Sequence, residues 1–158
     1  MEEIIEKVKN DLKQILSERR YEHSIGVMNM AGELAEIYNV DVETAKLAGL
    51  LHDNAKEMSE EEMLEYVKEN NIKITEFERL NVKILHGKIG ADIAKKKYGV
   101  SEQIAKAIEY HTTTSPEMDI LAKIIYVSDK VELTRKSEKF DIEPERKLAK
   151  IDLDKALL

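Results

Sequence analysis

The chain contains no cysteine among its 158 residues. That excludes disulfides and thiolate metal sites, so any bound metal must be held by imidazole and carboxylate groups. It also suits a reducing cytoplasm, the compartment expected for this protein. Tryptophan is absent too, aromatic residues make up 5%, and there are only two prolines and six glycines, too few turn formers for a turn-dense β sandwich. No apolar run approaches bilayer length, and the N-terminal "MEEIIEKVKN" lacks the basic-then-apolar layout of a signal peptide. A soluble, unexported protein with no membrane partner is therefore expected. A basic block is missing as well: the formal net charge is −7 and lysines are interspersed with glutamates. This argues against nucleic acid as a partner but leaves room for a small anionic substrate.

What is present is 42% hydrophobic and 36% charged residues, arranged with helical rather than alternating spacing. The expected class is all-α, a helical bundle forming one domain over 1–158. The periodicity predicts a scaffolding helix over 2–17 (Ile4, Ile5, Val8, Leu12, Ile15, Leu16) and a second over 20–38, with His23 on the same stripe as Val27, Met30, Ala31 and Leu34. Asp41 opens a nearly all-apolar central helix running through "VETAKLAGLLHDN". Ser59 with Glu62 forms a capping-box signal for a surface helix over 59–70. Helices are further predicted over 75–82, over 86–98 with a stop at Gly99, from Ser101 to His111, and from Pro116 to about 135. A last amphipathic segment follows Pro144 and carries Leu148, Ile151, Leu153, Leu157 and Leu158. Apolar stripes on the first and last helices serve either the core or a homodimer face.

The polar residues on these inward faces carry the chemistry. All four histidines, His23, His52, His86 and His111, fall on the inward face or at the end of a different predicted helix. Asp53 in "AGLLHDNAK" and Asp129 in "ILAKIIYVSDKVEL" interrupt apolar runs in the same way. A buried ionised carboxylate needs a counter-charge, and a divalent metal supplies one; helix capping or ion pairs with Lys56 and Lys130 are the structural alternative. His23, His52, Asp53 and Asp129 suffice for one metal, and His86 with His111 for a second bridged by Asp53. Lys56, one turn after His52, and Arg20, one turn before His23, are candidate phosphate contacts, with Thr112 and Thr113 as further donors and Lys88 and Arg135 as charge at the rim. Gly49 and Gly87 make room for close packing, and Met28, Met30 and Met118 fill the core.

In this order on successive helices, the stretches "RRYEHSIGV", "AKLAGLLHDNAKEMS", "LHGKIGA" and "EYHTTTSPEMDILAKIIYVSDKVELTR" resemble the HD-domain metal-dependent phosphohydrolases. More narrowly, they resemble the YqeK-type symmetrical diadenosine-tetraphosphate hydrolases. The resemblance implies a two-metal centre, with iron as the first expectation and manganese or another transition metal as alternatives. It also implies cleavage of diadenosine tetraphosphate into two ADP by a metal-activated water, with His23, His52, Asp53, His86, His111 and Asp129 matching the ligand motif. The chain departs from that family where Thr-Gly-Arg is expected after Thr112 and Thr113, Thr114 and Ser115 stand instead. It departs again after Asp129, where Lys130, Val131, Glu132 and Leu133 replace an Ile-Glu-Pro pattern. Another phosphoester as substrate, or a non-catalytic nucleotide-binding module, are the competing readings.

Overall fold

A computed structural model describes residues 1–132 and 142–158. Among them every regular element is a helix or helical turn, and no helix is long and apolar enough to cross a membrane. The first helix, α1 (Glu2–Ile15), stops short of residue 17 because Ser17 takes another task. Its hydroxyl accepts from the Arg20 backbone N–H and so caps α2 (Glu18–Ile37), which starts earlier than the periodicity alone predicts. Of the expected apolar stripe on α1, Ile5, Val8 and Leu12 are buried but Ile15 is exposed.

Asp41 caps α3 (Val42–Leu51) through the Thr44 N–H, as its position suggests. Residues Ala45, Leu47, Ala48, Gly49, Leu50 and Leu51 are all buried, and α3 touches α1, α2 and the two later helices α7 and α8 introduced below. It is the central helix because small side chains on several faces let neighbours approach. A Cβ on Gly49 would lie 3.0 Å from the Val27 carbonyl oxygen and 3.1 Å from the Met28 Cα, so α2 and α3 meet backbone to backbone there. The helix does not continue through "HDN" as predicted. It ends at Leu51, and residues 52–58 form successive tight turns in which Asn54, Lys56 and Met58 bond back three residues to Leu51, Asp53 and Ala55.

The capping box on Ser59 and Glu62 opens α4 (Glu60–Glu69), and an equivalent box on Thr75 and Glu78 opens the short α5 (Glu76–Leu80). A 3₁₀ turn, Val82–Leu85, follows, then α6 (His86–Tyr98), which Gly99 ends at φ 63°. Ser101 caps α7 (Glu102–Tyr110). The next helix, α8 (Ile120–Val131), starts later than the expected Pro116, because the Asp119 carboxylate holds the Ala122 N–H at 2.8 Å while Pro116 sits in the preceding turn. Its expected end near residue 135 lies outside the described residues. The C-terminal segment divides into α9 (Glu143–Ile151) and α10 (Leu153–Leu157), Asp152 capping the second. Ile151 and Leu158, expected on its apolar face, are exposed.

One large cluster of buried side chains joins α1, α2, α3, α7 and α8, and a smaller one (Ala55, Met63, Val67, Val82, Leu85, Ile89) lies between α4, the 3₁₀ turn and α6. Truncating a zero-exposure member such as Leu50 to Ala costs about 3 kcal/mol. The tight turns 52–58 lie where the two clusters meet.

Candidate metal centre

Three of the histidines stand at helix ends, where the last carbonyls have no partner within the helix. His52 follows α3, His86 follows the 3₁₀ turn, and His111 follows α7. Each ring uses Nδ1 to bond the carbonyl three residues back: His52 to Gly49 at 2.7 Å, His86 to Lys83 at 2.7 Å and His111 to Ile108 at 2.5 Å. A carbonyl only accepts, so Nδ1–H is the donor and Nε2 is the nitrogen turned inward. His23, within α2, reaches the same state differently, its Nδ1 lying 3.2 Å from the Glu132 carboxylate.

The four Nε2 atoms meet two carboxylates. His23 Nε2 is 2.8 Å from Asp129 Oδ1, and His52 Nε2 is 3.3 Å from Asp53 Oδ2 and 3.4 Å from Asp129 Oδ1. On the other side, His111 and His86 Nε2 lie 3.1 and 3.4 Å from Asp53 Oδ1, and 3.0 Å from one another. Two donor groups result, His23, His52, Asp53 and Asp129 in one and Asp53, His86 and His111 in the other, the atoms of each within 4.8 Å of one another. Asp53 belongs to both and turns a different oxygen to each.

Close helix packing makes this convergence possible. A Cβ on Gly87 would meet Thr112 Oγ1 at 2.4 Å and the Glu109 carbonyl oxygen at 2.8 Å, so only glycine lets α6 lie near enough to α7 for His86 to face His111. The Asn54 amide donates to the carbonyls of Leu51 and Gly90, tying the 52–58 turns to α6.

The electrostatics follow from burial and from this crowding. Burial works against ionised Asp53 and Asp129, yet the imidazoles around them hold both carboxyls well below the usual range. Burial also disfavours a charged His52, but the Asp53 and Asp129 carboxylates outweigh it and push its pKa up to about 10. His23 is raised, with Asp129 and Glu132 overcoming burial, whereas burial prevails at His111 and lowers it.

Two features test whether these residues fit a metal. His52 Nε2 is fully buried and has no hydrogen-bond partner, since its carboxylate neighbours are misaligned for one. The bare Nε2 atoms of His86 and His111 face each other at 3.0 Å, a contact that needs a proton or a cation between them. Imidazole nitrogens with carboxylate oxygens form a donor set suited to a divalent transition metal, and the residues fit one.

Above the donors lies an open cavity of about 230 Å³. Asp53, Asp129, His86 and His111 form its floor, and Arg20, Lys56, Lys83, Ile84 and Thr112 line the rest. Arg20 also bonds Asp53 Oδ2 at 2.9 Å. Thr112 donates its hydroxyl to the Glu109 carbonyl, and the exposed Thr113 is not part of the lining. Lys88 pairs with Glu78 at 2.9 Å and faces a different cleft, and Arg135 lies outside the described residues. Lys130, considered above as a partner for Asp129, has its ammonium 4.7 Å from the Tyr126 ring. Sequence reading passed over the roles of Glu132, Lys83 and Asn54. For Glu132 a signal existed, since it stands three residues after Asp129 and so on the same side of α8.

The HD domain family profile matches residues 20–134. The chain is 38% identical over 148 residues to a Bacillus subtilis protein named symmetrical bis(5'-nucleosyl)-tetraphosphatase, covering 93% of this chain and 78% of that one. A relative of the same name from Halalkalibacterium halodurans is 36% identical over 150 residues, with the same coverage. Among solved structures, a Clostridium acetobutylicum protein described as a predicted HD superfamily hydrolase involved in NAD metabolism superposes with a TM-score of 0.90 at 40% identity, over 96% of this chain and 80% of the other.

Proposed function

This chain belongs to the HD domain family, and from that premise we propose that it is a metal-dependent phosphohydrolase that cleaves diadenosine tetraphosphate symmetrically into two ADP, with residues 1–158 acting as one domain. The observation that carries the reading is the pair of donor groups sharing Asp53 beneath a cavity lined by cations. His23, His52, Asp53 and Asp129 would hold one divalent ion, and Asp53, His86 and His111 a second, with iron the first candidate and manganese the next. When bound, such a pair supplies Lewis acidity that makes water a nucleophile at neutral pH and offsets the charge on phosphate oxygens.

The protein's own residues do the remaining work. Main-chain carbonyls at Gly49, Lys83 and Ile108, with the Glu132 carboxylate, fix each ring so that Nε2 is the donor. Asp53 sets the spacing between the two groups. Arg20 and Lys56 line the cavity where the phosphates would lie and oppose the charge that builds on them during cleavage. No nucleophilic side chain is required.

Protein reconstituted with iron or manganese and given diadenosine tetraphosphate should release ADP as the only nucleotide product, read by chromatography. AMP together with ATP would overturn the symmetrical assignment. Cleavage confined to other members of a nucleotide and phosphoester panel would overturn the substrate.

A further inference from the structure

Lys83 has been described so far only through its carbonyl, which positions the His86 ring. The residue is exposed and lines the same cavity as Lys56 and Arg20. The three cations are not equivalent. Arg20 is engaged with Asp53 at 2.9 Å. Among the described residues, neither Lys56 nor Lys83 has a carboxylate within 4.0 Å. The lysines of the neighbouring α6 differ in this respect, with Lys88, Lys95 and Lys96 bonded to Glu78, Glu102 and Asp92 at 2.9, 3.0 and 2.9 Å. In a chain of net charge −7, two lysines with no carboxylate partner among the described residues, lining one cavity whose Asp53 and Asp129 carboxylates are engaged by imidazoles and Arg20, form a local trap for anions.

They come from separate segments, Lys56 from the turns after α3 and Lys83 from the 3₁₀ turn before α6. A single phosphate seated over the donors would already be neutralised there. A further cation in the same lining gains contact only if the ligand carries more negative charge than one phosphate. We infer that Lys83 is a specificity-determining residue: its ammonium binds the phosphates flanking the one under attack and so selects a polyphosphate chain over a phosphomonoester. The inference rests on the site being a phosphohydrolase centre, but it does not depend on which nucleoside the chain bears.

The test compares manganese-loaded wild type, Lys83→Met and Lys83→Arg, first confirming equal metal content. Inorganic tripolyphosphate and orthophosphate are titrated by calorimetry at low and moderate salt, and KM and kcat are measured for diadenosine tetraphosphate. Lys83→Met should weaken tripolyphosphate binding about tenfold and orthophosphate less than twofold, with a flatter salt dependence. KM should rise by a similar factor with a much smaller change in kcat, as expected when binding is lost equally from ground and transition states. Lys83→Arg should restore most of the loss. Unchanged tripolyphosphate affinity in Lys83→Met, or an equal loss for both anions, overturns the inference. If the tripolyphosphate difference holds while wild type leaves diadenosine tetraphosphate intact, the substrate assignment fails and the role of Lys83 stands.

Discussion

The two donor groups are built from the same residue types and behave differently. Around His23 and His52, imidazoles face carboxylates from Asp53 and Asp129, and both rings are pushed towards the protonated state. Around His86 and His111, two imidazoles face each other over a single oxygen of Asp53, and His111 is pushed the other way. Proportion of charge accounts for the contrast: three carboxylates, from Asp53, Asp129 and Glu132, against two rings in one half, and one shared oxygen against two rings in the other. The first half competes with protons for its ligands, whereas at His111 in the second half burial already works against a bound proton.

Asp53 is where the comparison is easiest to break, since it is the residue both halves share. Asp53→Ala should lower turnover at least about a thousandfold and reduce bound metal below one ion per chain, measured by elemental analysis after dialysis. His111→Ala should remove metal from the second half alone and retain about one ion. Two ions retained by Asp53→Ala would show that the halves are independent and that the carboxylate bridges nothing.

A smaller effect separates the means by which the rings are held. His23 is oriented by the side chain of Glu132, which is fully buried, while His52, His86 and His111 are oriented by main-chain carbonyls that substitution cannot remove. Glu132→Gln keeps the shape and discards the charge, so metal affinity of the first half and kcat should each fall about 10–100-fold, with the second ion still titrating as in wild type. An equal loss of both ions would mean that Glu132 supports the fold rather than one ring.

These distinctions bear on how much the chain discloses before folding. The convergence of six polar side chains was legible because placing them on apolar faces requires a common purpose, and Met28, Met30 and Met118 are buried as their spacing suggests. The helix starts at Asp41, Ser59 and Ser101 were equally plain, since a capping hydroxyl or carboxylate is a local interaction. The end of α3 was not: "LLHDN" carries no glycine or proline, and the chain leaves the helix where tight turns and the Asn54 bonds to Leu51 and Gly90 replace helical ones. The start of α8 was misplaced because Pro116 and Asp119 both suit a first turn, and only tertiary packing decides between them. Lys83 gave no signal, since a lysine on a solvated turn and a lysine at a cavity mouth read alike in one dimension.

The smallest effect concerns protons and is confined to metal-free protein. His52, raised to about 10 from an ordinary 6.5, contributes stability that is complete below about pH 6.5 and is lost as pH rises towards 10; His23, also raised, acts in the same sense. His111, lowered, acts in the opposite sense: the unfolded chain binds its proton more readily, so its contribution is present above about pH 6.5 and is lost as pH falls through the depressed value. Chelated protein should therefore lose about 3–6 °C of Tm between pH 7 and 10 in differential scanning calorimetry. Asp129→Asn should flatten that slope by removing a carboxylate that holds protons on both first-half rings, whereas His111→Gln should leave it intact. If Asp129→Asn and wild type share one alkaline slope, the halves do not differ in their hold on protons, and the contrast between them reduces to geometry.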